Sequence, residues 1–289
     1  MCRKDQINKA AILITVHNRK DKTINCLTNL YISINNFDQA IIFDVYLVDD
    51  GSTDGTREAV NSAFPQVRLV KGDGNLYWCR GMLTAWKHAL SNDDYDGFFW
   101  VNNDVYLYPD AMKAIFSAIS TVEEPSIISG AVISEKTGKT TFGGKVNNKV
   151  LTPNGQLQNF EQLNGNFVFI PMAVVKKIGL LDKTFHHGIG DYDYGYRALK
   201  AGFRLYLASC HVGICEKDSN YHIFRDPDIP LAKRFRFLYS PLGPPPFALF
   251  RFNFRHFSFF KALFIFIYTN MVCLFPGIRS LILKNKHSA

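Results

Sequence analysis

Acidic residues are missing from the C-terminal part of this 289-residue chain. No Asp or Glu follows Asp228, whereas residues 229–289 contain nine Lys and Arg and 12 of the 25 Phe. The first 228 residues hold 24 Lys and Arg against 25 Asp and Glu, so the net charge of +8 arises in the tail. This asymmetry predicts a near-neutral body over residues 1–228 and a basic, aromatic tail over residues 229–289.

Cysteine pairs with the spacing of redox or zinc motifs are also missing. The six cysteines, at positions 2, 26, 79, 210, 215 and 273, form no C-x-x-C pair. Cys210, His211 and Cys215 fit no zinc spacing, so ordinary packing is the favoured interpretation for them. The polar residues 1–9 lack the pattern of a secretory signal, and we therefore expect a cytosolic protein with reduced thiols.

The chain has no clean apolar run of about 20 residues, the length that spans a membrane. The nearest candidate, residues 262–278, is interrupted by Thr269, Asn270 and Pro276. Upstream, Phe247, Phe250, Phe254 and Phe257 recur at helical spacing, with Arg251 and Arg255 displaced from them. This pattern favours helices that lie in the interface of an anionic membrane, with a single span or a buried packing face as alternatives.

What is present is an alternation of apolar runs and amphipathic segments. Strands are predicted at residues 11–16, 41–47, 67–70 and 98–101, and helices at 20–34, 56–64, 81–90 and 109–119. The order β-α-β-α-β-α-β-α predicts a parallel, doubly wound α/β sheet, with a nucleotide half over residues 10–110. Less regular segments predict an acceptor half over residues 111–228, with strands at 127–134, 140–142, 165–170 and 204–208 and helices at 174–178 and 193–201.

Three clusters of acidic and amide side chains carry most of the functional information. Asp49-Asp50 and Asn102-Asn103-Asp104 each follow a predicted buried strand, and Asp191-Tyr192-Asp193 opens a helix. Carboxylates at the carboxyl ends of strands in an open α/β sheet point towards the crevice where ligands bind. The layout suits an enzyme that holds a nucleotide, a divalent metal ion and a general base together.

Four stretches resemble the family 2 glycosyltransferases. They are Thr15-Val16-His17-Asn18-Arg19, Val48-Asp49-Asp50-Gly51-Ser52-Thr53-Asp54-Gly55-Thr56, Trp100-Val101-Asn102-Asn103-Asp104 and Gly190-Asp191-Tyr192-Asp193-Tyr194-Gly195-Tyr196-Arg197. They occur in the family's order over about residues 10–210, and the tail is not covered. The resemblance implies the GT-A fold, with a Rossmann-like nucleotide half and a mixed central sheet, and inverting sugar transfer from a nucleotide-sugar.

The resemblance places the nucleotide against two segments. It implies that Thr15, His17, Asn18 and Arg19 line the base. Asp49 or Asp50 accepts a hydrogen bond from a ring N–H, which favours uracil or thymine. Residues 72–80 supply Gly74, Asn75 and Arg80 near the nucleotide, with Tyr77 and Trp78 as candidates to stack on it. The alternatives are a helix cap for the Asp-Asp-Gly-Ser segment and plain aromatic packing for the loop.

Asn102-Asn103-Asp104 resembles the D-x-D metal motif, with Asn in place of the first Asp. The resemblance implies that Asp104 binds Mg²⁺ or Mn²⁺, while Asn102 and Asn103 contact the donor or a metal-bound water. A hard cation needs oxygen ligands, and a sugar-nucleotide diphosphate supplies two more. His211 is a candidate third ligand and His222 a second one. The alternative is a polar turn that caps a strand.

Asp191 holds the position of the family's general base, although Gly190 replaces the Glu that usually precedes it. Asp193 and Arg197, spaced i and i+4, are expected to form a structural pair. His186 and His187 lie just before the base and are candidates to face the acceptor. The alternative for both aspartates is an N-cap and a first-turn acid that complement the helix dipole.

These predictions combine into one hypothesis. The chain is an inverting, metal-dependent hexosyltransferase that uses a UDP- or dTDP-sugar and extends a glycan acceptor, linked to a polyprenyl diphosphate, in bacterial surface polysaccharide synthesis. It acts as a peripheral protein at the cytoplasmic face of the inner membrane. A nucleotidyltransferase would need a Gly-rich triphosphate loop near the first strand, and nucleic-acid binding is disfavoured because the tail is so rich in Phe. A non-catalytic, membrane-associated nucleotide-sugar-binding or scaffold protein is the main alternative.

Overall fold

The computed structural model describes residues 7–217 and 220–276, and it divides the chain into two compact units. The first unit comprises Met1–Lys183 and Gly190–Lys217, and the second comprises Thr184–Ile189 and Asp218–Ala289. Arg279, Lys284 and Lys286, which the sequence placed in the basic tail, lie outside the described residues, and so does the side chain of His222.

The first unit contains twelve strands and six helices within the described residues. The strands are β1 (Lys9–Val16), β2 (Ile42–Asp49), β3 (Arg68–Lys71), β4 (Gly97–Val101), β5 (Tyr106–Leu107), β6 (Ile127–Ile133), β7 (Thr140–Phe142), β8 (Lys145–Val146), β9 (Lys149–Val150), β10 (Gln158–Asn159), β11 (Phe167–Pro171) and β12 (Leu205–Ile214). The helices are α1 (Lys20–Asn35), α2 (Thr56–Ala63), α3 (Tyr77–Asn92), α4 (Ala111–Thr121), α5 (Met172–Ile178) and α6 (Gly190–Lys200).

A mixed sheet forms the centre of the first unit, with strand order β10-β12-β6-β11-β4-β1-β2-β3. β3, β2, β1 and β4 run parallel, which confirms the parallel first half predicted from the sequence. β11 lies antiparallel between β4 and β6, and β12 runs parallel to β6. This central mixed sheet with helices is consistent with a GT-A fold.

Both faces of β4 are buried, because successive side chains point to opposite sides of a sheet. On one side, Phe99 packs in the main core with residues of α1 and α4. On the other side, Trp100 lies edge-on to Trp86 of α3 and Tyr194 of α6, with ring centroids 5.5 and 5.2 Å apart. The two layers hold the carboxyl end of β4 in place between helices.

Three elements differ from the sequence prediction in ways that matter for the site. α3 begins at Tyr77, four residues before the predicted start, and α6 begins at Gly190, three residues early. β12 continues to Ile214, well beyond the predicted end at residue 208. The apolar pattern stops at Ser209, but hydrogen bonding to β6 and β5 carries the strand onward past two register shifts.

The second unit contains a 3₁₀ helix, Asn220–Arg225, and three α-helices in its described part. They are α7 (Leu231–Leu238), α8 (Pro246–His256) and α9 (Phe259–Leu274), and α9 is capped by Ser258, whose hydroxyl accepts from the Lys261 N–H. Across residues 7–217 and 220–276, no helix has the length and apolar character needed to cross a membrane. His186 and His187 belong to this second unit.

Candidate active site

The carboxyl ends of β1, β2 and β4 bring the first two polar clusters to one edge of the sheet. Val16 of β1 lies opposite Asp49 of β2, and the Asp50 N–H donates to the Val16 carbonyl at 2.8 Å. β4 runs alongside β1, so Asn102 emerges at the same edge. The residues predicted to bind the nucleotide-sugar donor therefore lie at or just after the carboxyl ends of neighbouring strands.

The Asp50 carboxylate holds the loop that precedes α3. Oδ1 accepts from the Gly74 N–H at 2.8 Å, and Oδ2 accepts from Leu76 and Tyr77, both at 2.9 Å. A Cβ on Gly72 would lie 2.7 Å from Asp50 Oδ1 and 2.8 Å from its Cα, so this close approach requires glycine. Asp50 therefore acts as a distant cap on α3, which explains why the helix starts before any local signal.

A second set of contacts joins the segment after β1 to the turn after β2. The His17 ring Nδ1 lies 2.7 Å from the Asp50 carbonyl oxygen, and Asn18 Oδ1 accepts from the Thr53 N–H at 2.7 Å. Asp49, which is 4% exposed, accepts at Oδ1 from the Ser52 N–H at 3.0 Å. The two predicted base-binding segments, residues 15–19 and 49–53, are thus joined by hydrogen bonds into one wall, in which Thr15 is buried.

Asp104 is paired with a cation from the end of β1. Its Oδ2 accepts from Arg19 Nη1 at 2.6 Å, and the Asp104 side chain keeps one fifth of its surface exposed. The Cys215 thiol, at the end of β12, lies 3.9 Å from Oδ1. The neighbouring Asn103 is buried and donates from Nδ2 to Thr23 Oγ1 of α1. Asp104 thus carries the single carboxylate of the Asn102-Asn103-Asp104 cluster, and this carboxylate is partly exposed.

His211, the predicted third metal ligand, has a side-chain partner on another strand. It lies inside β12, between two register shifts. Its Nε2 lies 2.9 Å from Thr140 Oγ1 of β7. Among residues 7–217 and 220–276, no group of three His, Cys, Asp or Glu side chains is placed to hold an ion.

The donor set at Asp104 nevertheless fits a hard cation. The carboxylate already neutralises a positive charge and is partly open to solvent. Mg²⁺ in phosphate-handling sites is commonly held by one or two carboxylates, with substrate phosphates and water as its other ligands. Asn102 is a poorer ligand because its Oδ1 accepts from the Trp78 indole N–H at 2.6 Å. Asp104 therefore fits the role of a single protein carboxylate ligand to such an ion.

Trp78 and the segment 165–166 connect the second cluster to the third. Besides its bond from Trp78, Asn102 donates from Nδ2 to Asn166 Oδ1. A Cβ on Gly165 would lie 2.4 Å from the Trp78 ring, so glycine is required there. The Gly165 N–H in turn donates to Asp191 Oδ2 at 3.0 Å. The sequence analysis missed the Gly165–Asn166 segment, which has no motif spacing of its own.

The ring of Trp78, which was predicted to stack on the ligand, contacts another ring of the protein. It packs edge-on against Trp100 of β4, with centroids 5.8 Å apart and an interplanar angle of 89°. Arg80, two residues further along the first turn of α3, donates from Nε to the Lys183 carbonyl at 2.8 Å. Asn75 contributes a backbone N–H to Asp73. Within the first unit, these contacts give Trp78 and Arg80 structural roles in the segment 72–80 that was predicted to lie near the nucleotide.

Asp191 lies in the first turn of α6 and is 8% exposed. Its Oδ1 accepts from the Tyr192 N–H at 2.9 Å, and Oδ2 accepts from Gly165. Burial raises the pKa of the Asp191 carboxyl above its usual value, while these two N–H donors and the charge of Lys145 act in the opposite direction. A carboxylate with a raised pKa is a better proton acceptor in a neutral solution.

Asp193 takes a purely structural position two residues later. Its side chain is fully buried, and Oδ2 accepts from Arg197 Nε at 2.9 Å, which confirms the predicted i, i+4 pair. Arg197 also donates to the Ile178 and Leu180 carbonyls at 2.7 and 2.8 Å. The pair ties α6 to the end of α5, so Asp193 has no free role beside Asp191.

One comparison with known proteins identifies a family, over a stretch that includes the first two polar clusters and ends before Asp191. The sequence model of the family described as glycosyl transferase family 2 matches residues 11–182, more than half of the chain. A search of curated proteins found no match. Enzymes of this family transfer a glycosyl group from a nucleotide-sugar donor to an acceptor, and they commonly use a divalent metal ion. Because the family model matches more than half of the chain, and the first two polar clusters lie at one edge of the sheet, the chain belongs to glycosyl transferase family 2.

Proposed function

We propose that the chain is an inverting glycosyltransferase that moves a sugar from a UDP- or dTDP-sugar to a hydroxyl of a glycan acceptor. The observation that carries the proposal is the chain of contacts from Asn102 through Trp78 and Gly165 to Asp191. These contacts link the buried Asp191 carboxylate, whose pKa is raised, to Asn102 at the carboxyl end of β4.

The donor base lies against the wall formed by residues 15–19 and 49–53. Asp50 already accepts three N–H groups, and a carboxylate offers about four acceptor positions, so it has room for one more donor. Asp49 uses only Oδ1 within the described residues. Either carboxylate suits the ring N–H of uracil or thymine, a donor that adenine and cytosine lack on their pairing edge.

The diphosphate of the donor lies at Asp104 and Arg19. A bound Mg²⁺ or Mn²⁺ neutralises the negative charge that develops on the departing diphosphate. Arg19 neutralises Asp104 in this structure and is a second cation at the same position. Gly74 and Asn75, in the loop held by Asp50, leave the backbone free to approach the phosphates closely.

Asp191 removes the proton from the attacking hydroxyl of the acceptor. The hydroxyl oxygen forms a bond to the anomeric carbon while the bond from that carbon to the diphosphate breaks. The proton passes to a lone pair of the Asp191 carboxylate, because the N–H groups of Gly165 and Tyr192 occupy only one position on each oxygen. Attack opposite the leaving group inverts the anomeric configuration.

Nucleotide binding tests the proposal. In calorimetry with UDP, dTDP, GDP, CDP and ATP, we expect UDP or dTDP to bind with Mn²⁺ or Mg²⁺, and to bind at least about tenfold more weakly in chelator. Asp104→Asn is the matched variant and should show the chelator affinity whether or not metal is present. If no nucleotide binds, the proposal fails. Binding without any donor turnover would instead support the non-catalytic alternative.

We further propose that the second unit binds an anionic membrane surface, where the acceptor is a glycan on a polyprenyl diphosphate. Large apolar side chains of α8 and α9 remain exposed, led by Phe260 at 81%, Phe247 at 68% and Phe264 at 63%. No acidic residue follows Asp228, and Lys261 Nζ lies 3.2 Å from the centroid of the Phe257 ring. Exposed aromatic side chains with cations and no acids suit a lipid interface. This supports a peripheral enzyme of bacterial surface polysaccharide synthesis at the cytoplasmic face of the inner membrane.

A double substitution tests the membrane surface. Phe260→Ser with Phe264→Ser should weaken the affinity for phosphatidylglycerol-containing vesicles about thirtyfold, because each Phe that inserts partly into the lipid contributes about 1 kcal/mol. The control is Ile32→Ser, which removes an apolar side chain that is 46% exposed on α1 of the first unit and should leave vesicle binding unchanged. Equal sedimentation of the double variant and the wild-type protein would contradict the proposal.

A further inference from the structure

A cation lies near Asp191 that the donor chemistry does not use. Lys145 opens β8, the first strand of a two-stranded hairpin, and its Nζ donates to the Tyr192 hydroxyl at 2.6 Å. The same Nζ lies 5.3 Å from the centroid of the Tyr192 ring. Tyr192 directly follows Asp191, so the hairpin places an ammonium group at the first turn of α6.

This ammonium has no anionic partner of its own. Among the described residues, Lys145 forms no ion pair, and Asp191 is the one acidic group whose charge acts on it. Burial lowers the pKa of Lys145 and the charge of Asp191 raises it. The Tyr192 hydroxyl satisfies only one of the three ammonium donors. A partly buried cation is normally paired with an anion. Lys145 has no such anion, and an anionic group on a ligand would supply it.

The segment after β10 adds polar atoms that are also unsatisfied. It is hydrogen-bonded to the hairpin, since Lys145 N–H donates to the Gln162 carbonyl and Gln162 N–H to the Lys145 carbonyl, both at 3.1 Å. Within the part of the chain that the structure describes, Gln162 Oε1, Asn164 Oδ1 and Asn166 Nδ2 are buried without a hydrogen-bond partner. Asn166 is itself only 4% exposed. Buried polar atoms normally have a hydrogen-bond partner, and the hydroxyl groups of a ligand would supply one here.

We propose that Lys145, Gln162, Asn164 and Tyr192 bind the acceptor, and that Lys145 selects acceptors with a carboxylate or phosphate group beside the attacking hydroxyl. The inference rests on the proposed function, in which Asp191 is the base. An anionic acceptor would be repelled by the Asp191 carboxylate unless a cation balanced it, and Lys145 is that cation. The free oxygens of Gln162 and Asn164 accept from hydroxyl groups of the same sugar.

A matched pair of sugars tests this selection. Methyl β-D-glucuronide and methyl β-D-glucoside differ only at C6, which is a carboxylate in the first and a hydroxymethyl group in the second, and glucose 6-phosphate is the phosphate arm. By saturation-transfer NMR on the full chain saturated with UDP or dTDP, we expect at least one acidic sugar to bind about tenfold more tightly than the neutral one. The arm that shows the preference identifies the carboxylate or the phosphate as the recognised group.

Variants separate recognition from folding. Lys145→Met keeps the length of the side chain and should abolish the preference for the acidic sugar, whereas Lys145→Arg should retain it. Nucleotide affinity and melting temperature should stay near wild type in both. If the acidic and neutral sugars behave alike, or if neither binds in the millimolar range, the inference is overturned while nucleotide binding leaves the proposed function standing. A preference that survives in Lys145→Met overturns it as well.

Discussion

Asp191→Asn is expected to reduce donor turnover by about 10²- to 10⁴-fold, the usual contribution of a general base, and to leave nucleotide affinity near its wild-type value. The amide has the shape of the carboxylate but cannot take the proton of the acceptor hydroxyl. Its oxygen can still accept from Gly165 or Tyr192, so the first turn of α6 keeps most of its contacts. Turnover is followed as release of UDP or dTDP, and affinity by calorimetry.

The matched control is Asp193→Asn, two residues further along the same helix. It breaks a buried pair with Arg197, and loss of one partner in such a pair typically costs about 3–5 kcal/mol of stability. We expect a lower melting temperature with turnover retained below it. Loss of nucleotide binding in Asp191→Asn would refute the base assignment. So would normal turnover in that variant.

Asp50→Ala is expected to destabilise the first unit strongly and to abolish nucleotide binding. It leaves three N–H groups, those of Gly74, Leu76 and Tyr77, without an acceptor. Each unsatisfied buried group costs about 1–3 kcal/mol, so we expect a loss of at least about 3 kcal/mol. The melting temperature should fall by about 10 °C. UDP or dTDP binding should be lost too, because the loop and the start of α3 move.

Asp54→Ala is the control for this prediction. Asp54 lies in the same motif, but it is exposed and accepts from the N–H groups of Lys20 and Thr56 near two helix starts. Loss of such a cap costs about 1 kcal/mol. An unchanged melting temperature in Asp50→Ala would show that its three hydrogen bonds do not hold the loop. Equal effects of the two substitutions would argue against a special role for Asp50.

Part of the fold follows from local pattern. The apolar runs at the start of the chain form β1, β2 and β4, because a short apolar run bounded by polar turn residues is typical of a buried strand. α1 follows its predicted bounds within one residue at its end, and β7 occupies the predicted residues 140–142. The Asp193–Arg197 pair was equally predictable, since i, i+4 neighbours share one helix face.

Other features depend on contacts that no local pattern contains. β12 runs on through the polar residues 209–211 because β6 and β5 supply its hydrogen bonds. Lys145 gave no motif signal, yet the hairpin of β8 and β9 carries it to Tyr192, 47 residues away. Its unpaired charge becomes visible only when the neighbours of its ammonium group are known.

The sequence by itself determined the order of the helices and of the longer strands, though not the two-residue strands β5, β8, β9 and β10. It also determined the kind of side chain at each strand end, because these features depend on residues a few positions apart. The tertiary structure decided which partner each of those side chains has. Arg19 meets Asp104 across 85 residues, and Gly165 meets Asp191 across 26. Such pairs form only when the sheet brings distant loops to one edge, since the geometry of hydrogen bonds is set by the packed backbone and not by sequence spacing.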